Sequence, residues 1–218
     1  MTDHPSDYHN WQYFLALESD LVNLSRYIDF QDADNLQNSD SNAKAYSIEL
    51  ARIFLMACAE CENIGKIIAG ISKGNMTNIS EKIIDTAKPE YKKLPNQKID
   101  CPAHNLTFTP WQTWSQEKIQ NNEGQLVYKN PDWWTAHNNV KHNRLDFYKE
   151  ANLFNTLNAV AGLMCLLFHQ MQQAETTSGP NSGVTYKVVL PPSLAPKFFI
   201  PKKSGLGFGN TNWVWWEE

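Results

Sequence analysis

The sequence has no surplus of basic residues: 19 Lys and Arg stand against 23 Asp and Glu, a net charge of −4. Such a chain does not hold nucleic acid by bulk electrostatics, so only a local basic site is left for that role. It has no apolar run long enough to span a bilayer. The most apolar stretch, Ala159 to Phe168, is short and follows Asn152, Asn155 and Asn158, so it reads as a buried helix and no membrane partner is expected. Residues 1 to 8 carry Asp3 and Asp7 and no basic cluster before an apolar segment, unlike a secretory signal. With only four cysteines, this predicts reduced thiols in a cytoplasmic protein. There is no internal repeat, no phosphate loop, no dinucleotide-binding glycine pattern and no nucleophile elbow. Gly205-Leu-Gly-Phe-Gly209 has the glycines but no helix after them. No cofactor is expected.

What is present is a globular composition, 42% hydrophobic and 19% charged over 218 residues. A chain of that length buries roughly 70% of its unfolded surface around a single core. Phe14, Leu17, Leu21, Leu24 and Ile28 step by three and four and predict a first helix from about Tyr8. A polar loop follows from Asp29 to Asn42. Residues 1 to 42 hold eight acids and one base, Arg26, which reads as a solvated acidic face or a surface for a basic partner. A second helix is predicted over Tyr46, Leu50, Ile53, Ala57, Cys61, Ile64, Ile68 and Ile71, stopping at Gly74 and Asn75. A third runs from about Ser80, capped by Ser80 or Asn78, with Ile83, Ile84 and Ala87 inside and Pro89 as its limit.

From 94 to 130 the pattern becomes a loop-rich insertion with short extended candidates, among them Leu106 to Phe108 and Leu126 to Tyr128. Asn130-Pro131-Asp132 then opens a helix, with Asn130 or Asp132 as cap. From Phe147 to Met171 a long helix is predicted, apolar on nearly every side, as the central member of a bundle or at a subunit interface. The expected architecture is mainly α: a bundle of four to five helices over residues 1–177 and an extended arm over 178–218. In that arm Val184, Tyr186 and Val188 alternate like a strand. Trp213, Val214, Trp215 and Trp216 are too many large apolar groups for a free tail, so the arm is expected to pack on its own bundle or on a neighbour's.

The segment from Trp133 to His142, followed by Asn143 and Arg144, concentrates the chemistry. Histidine exchanges protons near neutrality, so His137 and His142 are candidates for general acid or base. Lys141 and Arg144 are counter-charges for a phosphate, with Asn139 beside them. Asn138 and His142, four apart, share a helix face. His137 and His142 lie about 140° apart on an ideal helix, so one substrate reaches both only if the helix bends or two subunits meet. The bland alternative is a polar cluster that fixes the helix against loops, with Arg144 pairing Asp146 or Glu150.

The string His137-Asn138-Asn139-Val140-Lys141-His142 resembles the active-site motif of the HEPN family, all-α domains of the higher-eukaryote and prokaryote nucleotide-binding group. That motif is an arginine, a polar residue that is often asparagine, three variable residues and a histidine. Asn138 and His142 match it, and His137 stands at the arginine position. The resemblance covers about residues 130–172, with the second helix as packing partner. It implies a metal-independent endoribonuclease of a bacterial toxin–antitoxin or antiviral defence system, in which the ribose 2′-hydroxyl attacks the adjacent phosphorus. His142 would act as acid or base, and Asn138 would orient it. Lys141, Arg144 or protonated His137 would steady the phosphate, and Glu60 or Glu62 would supply a carboxylate. It further implies a homodimer with paired motif helices, RNA as substrate, and an antitoxin or other defence protein as partner. The other reading in the same group is a non-catalytic scaffold or regulatory subunit. A separate possibility is zinc: Cys58-Ala-Glu-Cys61 and Cys101-Pro-Ala-His104 have ligand types at plausible spacing, although Cys61 lies on an apolar helix stripe without a glycine-bearing turn.

Overall fold

The computed structural model describes residues 8–85, 91, 93–171, 173–177, 183–188, 190 and 192–201. The class is mainly α. Among the described residues there are six α-helices, where four or five were expected: α1 (His9–Leu24), α2 (Ile48–Ala69), α3 (Met76–Asp85), α4 (Asp132–His142), α5 (Arg144–Phe147) and α6 (Leu153–Met171). The boundaries of α2, α3 and α6 follow capping chemistry more closely than apolar periodicity. The Ser47 hydroxyl accepts from Leu50 N and starts α2. Gly70, in the left-handed region at φ 66°, ends it a turn before the expected Gly74. Asn75 and Asn78 cap each other reciprocally, so α3 begins at Met76 and not near Ser80. Ala87 and Pro89 lie outside the described residues.

The single long helix expected from Phe147 is broken. Asn152 Oδ1 accepts from Asn155 N at 3.0 Å, and Leu153 N donates to Ala45 O at 2.8 Å. These two bonds satisfy first-turn donors of a new helix and place Phe147 and Ala151 outside α6. α6 runs along α2, with α1 and α4 also against it. Thr156 Oγ1 on α6 donates to Asn152 O and lies 3.4 Å from Leu50 O on α2. Although its most apolar stretch alone is too short, α6 as a whole is long and apolar enough to cross a membrane by composition, a correction to the sequence expectation, but 89% of that window is buried within this chain, as in a core helix.

The insertion carries small sheets. β1 (Ile99–Cys101) pairs antiparallel with β2 (Leu106–Phe108), and β3 (Ile119–Gln120) with β4 (Leu126–Val127). It is fixed to the helices by tryptophan. Trp111 Nε1 donates to Gly162 O on α6 at 3.0 Å, and Trp133 Nε1 donates to Pro110 O at 2.9 Å. A Cβ at Gly162 would stand 3.2 Å from Trp133 Cζ2, so the absent side chain lets the two indoles seat on the helix.

After α6, β5 (Gln173–Thr177) and β6 (Gly183–Lys187) form a hairpin, so the expected boundary at 177/178 falls inside one paired unit. β7 (Ile200–Pro201) adds to β1, giving a sheet of order β2-β1-β7. The chain before β7 is clamped by Glu18 of α1, whose carboxylate accepts from the backbone N–H groups of Lys197, Phe198 and Phe199 at 2.8 to 3.0 Å. Glu18 is 3% exposed and is therefore no part of a solvated acidic face. Trp213 to Trp216 lie outside the described residues.

Candidate functional site

α4 sorts the motif residues onto two sides. Trp133, Trp134, Ala136, His137 and Val140 face the core, while Asn138, Lys141 and His142 face solvent. The 140° offset between the two histidines is thus realised as one buried ring and one exposed ring. His137 is 3% exposed, with its ring centroid 4.8 Å from that of Trp134 and 6.2 Å from that of Phe54 on α2. Its Nδ1 has no hydrogen-bond partner among the described residues. Burial, with Lys141 nearby, lowers its pKa to about 4. A neutral, enclosed imidazole does not steady a phosphate, so the expected role of protonated His137 is corrected. His137 is a core residue.

The helix ends at His142 and the chain turns at once into α5. Arg144 is exposed and lines a shallow apolar groove of about 560 Å³ with Ile48, Ala51, Leu55, Met56 and Tyr148. Two large apolar side chains near it are open to solvent, Ile48 at 78% and Leu145 at 96%. The polar cluster expected as the bland alternative forms only in part, through Asn139, while Asn138 and His142 are exposed. Asn139 Nδ2 donates to Glu150 Oε2 at 2.9 Å, and Asn143 Nδ2 donates to Asp146. Arg144 has no ion-pair partner among the described residues, neither Asp146 nor Glu150. Glu62 pairs with Lys66 on the same helix, and Glu60 accepts from Asn63 at 3.4 Å. One protomer therefore leaves Asn138, Lys141, His142 and Arg144 exposed around the end of α4.

The zinc arrangement is not met. Cys58 and Cys61 are fully buried on the side of α2 that faces α6, and Cys61 Sγ donates to Ala159 O at 3.6 Å. Cys101 is buried in β1, while the His104 ring sits 5.2 Å from Phe30 and 5.3 Å from Phe198. Burial pushes the Cys58 and Cys61 thiols well up and Cys101 to about 12, against the thiolate that zinc requires. Among the described residues no three His, Cys, Asp or Glu are placed to hold a metal. His169 is in the last turn of α6 and buried.

Sequence reasoning missed a second concavity. It lies between the insertion, the start of α4 and α6, and is lined by Asp34, Thr109, Gln112, Thr113, Phe154 and Asn158, among others. These residues are scattered over more than a hundred positions, and no local spacing ties them together. No known family, no curated protein and no solved structure matches the chain.

Proposed function

We propose that the exposed corner at the end of α4 is an RNA-cleaving site of HEPN type, completed by a second copy of the chain, in a protein of a bacterial toxin–antitoxin or antiviral defence system. What supports this reading is the exposure of Asn138, Lys141, His142 and Arg144, the last of which lines an apolar groove. Two copies meeting groove to groove about a two-fold axis would cover Ile48 and Leu145 and bring two His142 side chains to one cleft. In the cleft one imidazole takes the proton of a ribose 2′-hydroxyl. That oxygen bonds to phosphorus as the P–O5′ bond breaks, and His142 of the partner subunit returns a proton to the leaving oxygen. Lys141 and Arg144 hold the non-bridging oxygens, and the products are a 2′,3′-cyclic phosphate and a 5′-hydroxyl. No metal is needed for this step.

The test is cleavage of structured and unstructured RNA in chelator, with mass determined in solution. The expected outcome is cleavage by a dimer of wild type and a loss of about 10²–10⁴-fold in His142→Ala at unchanged melting temperature. Failure of wild type to cleave either RNA overturns the nuclease reading. The burial of His137 at the position where the motif carries arginine favours the second reading, a non-catalytic scaffold or regulatory subunit. That reading predicts a dimer without cleavage.

A further inference from the structure

We infer that the cleft between the insertion, the start of α4 and α6 binds a small, uncharged, hydroxyl-rich ligand about the size of one sugar unit. Its volume is about 340 Å³, at the lower end of the roughly 300–1,000 Å³ range of ligand sites. Four separated segments wall it: the loop after α1 with Asp34, the insertion from Thr107 to Thr113, the α4 start from Pro131 to Trp133, and α6 with Phe154 and Asn158. The walls are held by bonds already made. Trp133 Nε1 to Pro110 O and Trp111 Nε1 to Gly162 O tie insertion, α4 and α6 together, and the two indole centroids are 5.0 Å apart. A cleft built this way is pre-formed, which lowers the ordering cost of binding.

The lining chemistry selects the class of ligand. Among the described residues no Lys or Arg lines the cleft, and Asp34 places a carboxylate at its edge, so phosphates and carboxylates are repelled. Asp132 is already paired with Lys129 at 3.0 Å, and Asp34 Oδ2 accepts from Thr107 N at 3.4 Å, which leaves its other oxygen for a ligand. The neutral polar groups, Thr109, Gln112, Thr113 and Asn158, both donate and accept. A hydroxyl-rich ligand presents the same duality: its O–H groups donate to Asp34 and to the Asn158 side-chain oxygen, whose amide nitrogen already donates to Phe154 O at 2.9 Å, and accept from the Gln112 amide. Phe154, half-buried in the wall, offers an apolar surface to the C–H face of a ring. The Thr113 hydroxyl is buried and has no partner among the described residues. Such a group is costly unless something bonds to it, and a rotation about χ1 offers it to a ligand. Asp132 and His142 are ten residues apart on α4, about 15 Å along its axis, so this site is separate from the proposed nuclease corner.

The experiment is saturation-transfer NMR on the full chain with D-glucose, D-ribose and myo-inositol as probes, and with putrescine and inorganic phosphate as charged competitors. The expected result is saturable binding of at least one polyol, weakened about tenfold or more in Asp34→Leu or Gln112→Leu at unchanged melting temperature. Both side chains lie at the cleft rim and outside the buried core, so at least one variant stays folded. No transfer to any polyol, binding untouched by both variants, or preference for putrescine or phosphate overturns the inference.

Discussion

His137 and His142 differ by five positions and by nearly everything that governs a histidine's behaviour. The enclosed His137 ring is held neutral, with a pKa of about 4 against the 6.5 of an unconstrained imidazole. Between those two values the unfolded chain binds a proton that the folded chain does not. Stability therefore falls as pH drops from about 6.5 to about 4, by an amount on the order of 3 kcal/mol, and levels off below that. Denaturant titrations at pH 7, 5.5 and 4 should show this slope, and His137→Phe should flatten it. An unchanged slope in that variant would mean that other groups carry the acid sensitivity. The same burial makes His137→Arg a damaging change. It restores the arginine of the HEPN-type motif but drives a guanidinium between Trp134 and Phe54, with Lys141 near. A loss of several kcal/mol is expected, read as a lower melting temperature, with no gain of RNA cleavage.

At the scale of elements, the joints between segments carry more than the elements themselves. Glu18 holds three backbone N–H groups of the segment that leads into β7, and its carboxylate is their acceptor. Glu18→Ala strips all three at once in a buried place, so a loss of about 3–5 kcal/mol is expected. Limited proteolysis near Lys197 should rise in parallel, and a variant as resistant as wild type would show that β7 stays docked without the clamp. Gly162 is the second joint. Gly162→Leu places a branched side chain where Trp111 and Trp133 approach α6, and overpacking of this kind costs about 1–3 kcal/mol. The displaced indoles should change the near-ultraviolet circular dichroism while the helical signal stays.

For the whole molecule, the central question is what covers α6. Its apolar circumference points to a bundle centre or a subunit interface, and the fold answers with α2, α4, the tryptophans of the insertion and α1, whose Trp11 packs on Phe168 of α6. A second subunit is not needed for that purpose, and the proposed dimer rests on the groove by Arg144 instead. Ile48→Glu together with Leu145→Glu should then convert a dimer of the full chain to monomer without lowering its melting temperature, as light scattering and a thermal scan would report. The segment after β6 belongs to the core as well. Removing residues from Val188 onward takes away Phe198 and Phe199, both buried, and uncovers Phe30 and Phe108. Burial of each phenylalanine contributes about 1.5–3 kcal/mol, so the truncated chain should be less stable by several kcal/mol.

Local chemistry was enough for much of this. The mainly α class follows from apolar steps of three and four, which one turn of helix imposes whatever its surroundings. The β6 strand was legible in Val184 and Tyr186, and the β3–β4 hairpin in part through Leu126 and Val127, because alternation is likewise a property of neighbours in the chain. The segment from Trp133 to Arg144 stood out because its residue types are dense in sequence. Which of those residues meet solvent was a tertiary decision: α4 has two sides, and only its seating on α2 and α6 assigns His137 to one and His142 to the other. The break between α5 and α6 depended on Ala45, far away in the chain, accepting from Leu153. Glu18 looked like one more acid on a polar helix until three distant N–H groups needed an acceptor. The cleft around Asp34 and Asn158 has no local signature at all, since its walls become neighbours only after the tryptophans have fastened the insertion to α6.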